Sequence, residues 1–468
     1  MDPAETPMQG RPSLSNFHPT DYMRIERLKG LLEINRQIFV DPDIFELEMR
    51  HIFEATWIFL GLESQIPKPH DFLATQIGRK PVLVMRDGAG VVRGFFNTCR
   101  HRGALLCHVE AGNRKYHVCP YHGWSYGSEG RNFQVTDRSH GFYPDSFQDR
   151  DRNLLPLPKF ATYRGLMFGC LDLDVPELED WLGEARFFVD LVMEQGPHGM
   201  EFVPGRNTWT FKANWKLQID NSDDCYHLLP THRSFTDILD RRSASGQYEV
   251  EMPSFDERSA SDAGTYTFPY GHTLTWIGNK TPANRPLYRT IDEVRQRVGE
   301  KRARWMLQNR NMNLYPSVQL CDSTSLIIRT IRPIAADKTE MQLWSLAPIG
   351  EDPEGREYRI RQHEDFFGAA GLANPDDNAV YEDCQAGYET PSTHWLHAFE
   401  RGVGVLQQGP DARARELGFT PETSVSGTYR LCDETVCHSG YREWFRLMSR
   451  ASNSPMERPD GNRRSSAA

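Results

Sequence analysis

The chain has 468 residues, 38% apolar and 25% charged, with a formal net charge of −10. That length allows two or more domains with separate cores, and the acidic balance argues against nucleic acid or an anionic membrane surface as the main partner. No run approaches the roughly eighteen uninterrupted apolar residues of a membrane span, and Met1-Asp2-Pro3-Ala4-Glu5 lacks the basic and apolar regions of a secretory signal, so the expected location is cytoplasmic.

The first twenty residues, polar and containing several prolines, predict no regular structure. From Asp21 to Leu60, Ile25, Leu28, Leu31, Leu32, Ile44, Leu47, Ile52 and Phe53 recur at helical spacing and predict helices. The pattern then changes. Short alternating segments at 81–86, 91–96, 116–119 and 166–169, divided by Gly, Pro, Asn and Asp, predict a small all-β domain over 48–170. Beyond it, 177–194 predicts a helix and 208–211, 265–268, 273–277, 325–333 and 341–346 predict strands. Further helices are expected at 291–308, 356–368 and 434–449. The order is that of an α+β chain: a helical segment (1–47), the all-β domain (48–170), a larger domain (171–450) and a disordered tail (451–468). The nine scattered cysteines read as reduced thiols and metal ligands, because disulfide frameworks belong to small secreted domains.

Within the all-β stretch stand Cys99-Arg100-His101 and Cys119-Pro120-Tyr121-His122. Each places a thiolate and an imidazole on one loop, and together they form two matched tips. Two cysteines on one iron and two histidines on the other is the ligation of a Rieske [2Fe–2S] centre. A structural zinc site also uses two Cys and two His. Zinc fingers, however, open with a cysteine pair and close with a histidine pair, whereas both pairs here are mixed. Arg102-Gly103-Ala104 and Gly123-Trp124-Ser125-Tyr126 add small residues for close backbone approach and aromatics for cover. His108 and His117 read as surface imidazoles. Such a cluster passes single electrons and does no substrate chemistry, so an acceptor is expected downstream.

The candidate acceptor lies between Asn214 and His232. If 217–228 is helical, Asn221, Asp224 and His227 share one face at three-residue steps, with Asn221 near any metal held there. Pro230 removes an amide donor and should end or kink the helix, so that His232 swings back beside His227. Two imidazoles and one carboxylate on Fe(II) make a facial triad with positions open to O2.

Cys119-Pro120-Tyr121-His122-Gly123-Trp124, together with Asp224, His227 and His232 in D-x2-H-x4-H order, resembles the motifs of Rieske non-heme iron ring-hydroxylating oxygenases, large (alpha) subunit. Asn313-Leu314-Tyr315-Pro316, Ile331-Arg332-Pro333 and the run from Arg361 to Phe367 look especially like the benzoate, toluate and anthranilate dioxygenases. The resemblance implies a Rieske domain followed by a catalytic domain with an antiparallel sheet flanked by helices. It implies that Cys99 and Cys119 bind the inner cluster iron and His101 and His122 the outer one. His227 and His232 would bind the mononuclear iron. The third ligand would come from Asn374-Pro375-Asp376-Asp377, where the second acid matches; Asp377 is expected, with Asp376 its rival and a helix-capping role the plain alternative. Asp224 would link the two metals by a hydrogen bond across a subunit boundary to His122, a carboxylate on an imidazole being a sound way to tune a metal ligand.

The same resemblance implies partners and a reaction. A flavin/iron–sulfur reductase fed by NAD(P)H, with or without a ferredoxin, would supply electrons. The large subunits would form a homotrimer or an α3β3 assembly with a small subunit. Both atoms of O2 would enter an aromatic ring, for instance of benzoate or anthranilate, giving a cis-diol in aromatic catabolism. The alternatives are a monooxygenase that hydroxylates or demethylates an aromatic and, more remotely, a non-enzymatic cluster or zinc protein. Two departures stand out: Asp220-Asn221 where the family commonly has Glu-Asn, and Arg233-Ser234-Phe235 after His232. Arg233 could pair with a substrate carboxylate. Leu228, Phe235, Leu314 and Leu326 are candidate walls of the pocket.

Overall fold

Two β systems of different size organise the chain. The computed structural model describes residues 17–26, 31–246, 260–368, 370–390, 395–397 and 399–453. In the smaller system, strands Asp71–Ile77, Lys80–Arg86, Val92–Phe96 and Ala111–Asn113 form one antiparallel sheet. Tyr116–Val118, Ser125–Gly127 and Asn132–Gln134 form a second, and Ile58–Leu62, Lys159–Tyr163 and Leu166–Cys170 a third. Alternation along Lys80–Arg86 explains how the layers fit. Val82 and Val84 enter a core shared with Met167, while Leu83 and Met85 point the other way, toward Phe95, Leu106, Trp124 and Tyr126 beneath the two Cys/His loops.

The segment before residue 60 corrects the helical expectation. Met23–Glu26 and Leu31–Asn35 are antiparallel strands, and Leu31–Asn35 also pairs with Trp395–His397. Ile25 faces Leu32 and Met23 faces Ile34, so these apolar residues satisfy a two-residue period as well as a helical one, and the distant partner decides. Leu28 lies outside the described residues. Helix begins at Gln37–Val40 and Pro42–Glu48 and continues through Met49–Phe53. Asp41 caps it by accepting from the amides of Asp43 (2.8 Å) and Ile44 (3.3 Å), with Pro42 in the first turn.

The larger system is a ten-stranded antiparallel sheet among the described residues. From one edge it runs Met200–Phe202, Lys338–Pro348, Leu326–Ala335, Val318–Asp322, Asn309–Leu314, Thr273–Ile277, Asp262–Thr267, Thr423–Thr428 and Gln407–Gln408, with Asn207–Phe211 also on Lys338–Pro348. The predicted strands lie within it. Asn309–Leu314 and Val318–Asp322 are additional, their alternation hidden by asparagines and a glutamine.

The two faces of this sheet differ. Register aligns Leu274, Met312, Leu320 and Ile328 on one face, where they pack against helices Leu178–Leu182, Arg186–Met193, Ile291–Val298 and Glu300–Met306. The helix expected over 291–308 is thus two helices, meeting at Gly299. The other face aligns Thr275, Asn311, Cys321 and Ile327, and beside them Thr273, Asn313, Gln319 and Arg329. Helix Trp215–Asp223 lies on this polar face, where Asp223 accepts from Thr273 (2.5 Å) and Asn313 (2.6 Å) and Gln218 bonds Gln319 (3.3 Å).

That helix is fixed from behind as well. Asn214 caps it, accepting from the Lys216 amide at 3.1 Å. Lys216 and Glu48 form a buried ion pair at 2.5 Å, and Glu48 also accepts from the indoles of Trp215 (2.8 Å) and Trp444 (2.6 Å). One carboxylate therefore joins the N-terminal helix, the sheet-face helix and the last helix, Cys437–Asn453. The last helix runs through residues 451–453, which corrects the start of the expected tail; 454–468 and 1–16 lie outside the described residues. No helix of the described residues is long and apolar enough to cross a membrane.

Candidate metal centres

The loops carrying Cys99/His101 and Cys119/His122 are built alike. In the first, the Gly103 amide donates to the Cys99 carbonyl (2.9 Å) and the Cys99 amide to the Ala104 carbonyl (2.8 Å). In the second, Gly123 donates to Cys119 (3.0 Å) and Cys119 to Trp124 (2.8 Å). Gly103 (φ 73°) and Gly123 (φ 72°) supply the left-handed turn each loop needs. The tips face each other. His101 and His122 have ring centroids 4.5 Å apart, and His101 stacks on Trp124 at 4.7 Å and 6°. Cys99 and Cys119 are adjacent and buried, and burial is the main reason the Cys99 thiol is held above its usual value, against a lowering contact from the Tyr126 hydroxyl at 3.2 Å. A bound cation reverses that balance and draws out the thiolate. His101 Nδ1 is buried with no hydrogen-bond partner among the described residues, so one imidazole nitrogen there is available to a ligand. The donor set thus fits two irons bridged between a sulfur pair and a nitrogen pair. His108 is exposed, as expected; His117 is not. It packs edge-on against Phe72 at 4.9 Å, and burial pulls its pKa down to about 4.

The second constellation assembles by a different local path from the one predicted. The helix stops at Asp223, and Asp224 is extended (φ −86°, ψ 131°). The Asp224 carboxylate accepts the amides of Tyr226 and His227 (3.2 Å to the latter), closing a turn that reverses the chain. Pro230 does not end the long helix; it sits inside the short helix Leu228–Thr231, where a missing amide is tolerated. His227 and His232 flank that short helix.

Their rings converge on one carboxylate. Asp377 Oδ1 lies 3.0 Å from His232 Nε2 and 3.7 Å from His227 Nε2, and one donor atom from each residue falls within 4.8 Å of the others. Asp376 contacts the other nitrogen of His232 instead, at 3.5 Å, and accepts from Ser234 at 3.3 Å. Asp224 Oδ2 lies 3.3 Å from His227 Nδ1, and Asn221 Nδ2 is 3.1 Å from His227 Nε2 and 3.0 Å from Asp377 Oδ1. The bonding assigns the tautomer: Nδ1–H of His227 donates to Asp224, and the Nε2 lone pair accepts from Asn221 Nδ2 on the side of Asp377. Burial pulls the His232 pKa down, but hydrogen bonds and charge from Asp377 and then Asp376 outweigh it and raise it overall. His232 Nε2 and His227 Nε2 converge on the one carboxylate oxygen of Asp377, so these three donors fit a divalent metal.

The triad opens on a cavity of about 360 Å³. Leu228, Phe235, Phe366 and Ile277 supply apolar wall, and Asn311, Cys321 and Arg329 reach it from the polar face of the sheet. Of the residues expected to line it, Leu228 and Phe235 do. Leu314 and Leu326 belong to the core on the opposite face, because register turns them away. Arg233 is exposed and does not line the cavity. Sequence reading passed over Asn311, Cys321 and Arg329, although an arginine two residues from Ile327 and from Ile331 on one strand face was a usable signal. A second cavity, about 350 Å³, lies between the two β systems and contains none of the metal donors.

Residues 56–148 match the Rieske [2Fe-2S] domain, and residues 178–416 match the family described as ring hydroxylating alpha subunit (catalytic domain). The chain is 37% identical to toluate 1,2-dioxygenase subunit alpha of Pseudomonas putida over 426 residues, 90% of this chain and 92% of that one. It is 37% identical to the anthranilate 1,2-dioxygenase large subunit of Acinetobacter baylyi over 444 residues, 92% of this chain and 91% of that one. In structure it resembles naphthalene 1,2-dioxygenase from a Rhodococcus species bound to indole, with TM-score 0.76 and 26% identity, covering 90% of this chain and 95% of that one.

Proposed function

Because the chain belongs to the alpha subunits of Rieske ring-hydroxylating oxygenases, we propose that it dihydroxylates an aromatic carboxylate, taking electrons from a separate reductase. As a member it is an aromatic-ring-hydroxylating dioxygenase with a [2Fe–2S] cluster and a mononuclear iron. The observation that carries the proposal is the convergence of His227, His232 and Asp377 at a cavity large enough for a substituted benzene ring. The substrate class follows the toluate and anthranilate relatives.

In this reading Cys99 and Cys119 hold one cluster iron and His101 and His122 the other, while His227, His232 and Asp377 hold the mononuclear iron. When bound, the two centres supply one-electron transfer and dioxygen activation. The chain's own part is positioning. Asp224 holds His227 in the tautomer that frees Nε2, and Asn221 braces the Asp377 carboxylate toward both histidines. Leu228, Phe235 and Phe366 keep water from one side of the ring.

The electron route we propose runs from His122 to Asp224 across a subunit contact. Both ends reach the surface: Tyr121 is 58% exposed beside His122, and Tyr226 is 52% exposed beside Asp224. A ring of large subunits, with or without a small subunit and a ferredoxin, brings them together. The working division is 1–47, 48–170 and 171–453, the last helix carrying the third part past the expected 450. The test is turnover of purified protein with a reductase and NADH against benzoate, toluates, anthranilate and neutral aromatics under labelled O2. A cis-diol of an aromatic acid carrying two labelled atoms is expected; activity confined to neutral aromatics, or one labelled atom per product, overturns the reading.

A further inference from the structure

Arg329 stands in the middle of strand Leu326–Ala335, on the same face as Ile327 and Ile331, and is only 5% exposed. Its Nε donates to Gln319 Oε1 at 2.5 Å, and among the described residues it has no other hydrogen-bond or ion-pair partner. Gln319 is itself immobilised. It donates to the Asn313 side chain (2.6 Å) and the Gln218 carbonyl (3.2 Å), and Asn313 donates to Asp223 (2.6 Å). The plane of the guanidinium is thus set by a chain of buried hydrogen bonds, while its two terminal nitrogens remain uncommitted and the residue lines the iron cavity.

The other cations at this cavity are placed differently. Arg285 is consumed by the Asp322 carboxylate and by the backbone carbonyls of Asp322 and Ser323. Lys280 is exposed. Asp224 and Asp377, the carboxylates of the triad region, are engaged with His227, His232 and Asn221. An unpaired guanidinium this deeply buried is costly unless an anion joins it, and its free fork matches the two oxygens of a planar carboxylate.

We infer that Arg329 is the substrate-carboxylate receptor: it takes the carboxylate of an aromatic acid in a two-point contact and so sets where the ring lies against Leu228, Phe235 and Phe366 before the metal. This inference rests on the aromatic-acid reading above and adds to it the residue that enforces it.

The test compares benzoate with benzamide, a neutral molecule of nearly the same shape, in reductase-coupled turnover by the metal-loaded protein and its Arg329→Gln and Arg329→Lys variants. Iron content and cluster absorbance serve as the measure of intact sites. In Arg329→Gln the KM for benzoate should rise by at least about thirtyfold, the lower end for a buried charge pair that loses one partner, while the KM for benzamide, which brings no charge to the site, should rise by much less. Arg329→Lys, which keeps the charge without the fork, should fall between. A benzoate KM unchanged in a metal-loaded Arg329→Gln variant overturns the assignment of Arg329 alone. If that variant does not hold iron, the unaltered protein decides: a clear preference for benzoate over benzamide, weakened in Arg329→Lys, supports the assignment, and equal kcat/KM for the two overturns it. Activity of the unaltered protein on neutral aromatics only defeats the aromatic-acid reading itself.

Discussion

Glu48→Gln tests whether the helix Trp215–Asp223 is anchored as the structure implies. The carboxylate of Glu48 neutralises Lys216, and the two side chains are 0% and 3% exposed. Burial already depresses the Lys216 pKa, with the Glu48 charge opposing that fall. An amide at position 48 keeps a hydrogen-bond acceptor for one indole but strands the ammonium in the core. Breaking a buried pair by removing one partner costs about 3–5 kcal/mol, which for a domain of this size corresponds to a drop in Tm of roughly 6–15 °C. Scanning calorimetry of the metal-loaded protein reads the shift. A second substitution, Lys216→Met, added to Glu48→Gln removes the stranded charge and should recover about 2 kcal/mol or more. A Tm loss under about 2 °C in the single variant, or no recovery in the double, would refute the reasoning, because the pair would then not be a charged, desolvated anchor.

Asp377→Asn should lose the mononuclear iron and keep the cluster absorbance and acid-labile sulfide, whereas Asp376→Asn should keep both metals; the opposite pattern by metal analysis would move the ligand to Asp376. Asp224→Ala should weaken iron binding by about 10- to 100-fold through the loosened His227 and, with iron restored by excess, still fail to turn over although the cluster is reduced; normal turnover would remove Asp224 from the electron route. His272 bonds the Trp181 carbonyl through Nε2 at 3.0 Å and accepts the Tyr315 amide on Nδ1 at 3.2 Å, so only the neutral ring satisfies both. Burial holds its pKa down to about 3, well under the ordinary 6.5 of an unfolded chain. The unfolded chain binds the extra proton between those values, so stability from this group is whole above pH 6.5 and is lost as pH falls toward 3. His272→Asn should lower Tm at neutral pH and flatten its decline on the acid side; an unchanged acid slope would count against the neutral-ring assignment.

The candidate metal donors could be read from the chain because each pair is local. Two loops, each a few residues long, carry their own Cys/His pair and their own glycine, and D-x2-H-x4-H keeps His227 and His232 within one turn and a half of short helix. Asp377 needed the resemblance, since nothing near it in sequence announces a metal. Of the small β strands, those at 81–86, 91–96, 116–119 and 166–169 were legible from alternation, while others such as Asp71–Ile77 and Lys159–Tyr163 were not named. The strand pair Met23–Glu26 and Leu31–Asn35 was not legible, because its third strand comes from Trp395–His397 and short apolar spacings fit either period. The break at Asp224 was hidden for a similar reason. A proline is an obvious stop signal, while a carboxylate that captures two amides and displaces the helix is apparent only once its geometry is seen. Arg329 lay in plain view inside an apolar strand, but only register with Gln319 reveals that its inward neighbour is a hydrogen-bond acceptor rather than a counter-ion.

The great sheet separates two kinds of tolerance to change. Side chains on its oily side are locked to one another, so an exchange there threatens the whole architecture. On its polar side Thr273, Asn313 and Gln319 are committed to the helix lying on them, whereas Asn311, Cys321 and Arg329 border the cavity, and an exchange at those three chiefly alters which guest is admitted. Choice of guest can therefore be edited at a single position on each of three neighbouring strands, while the positions around it keep the protein standing.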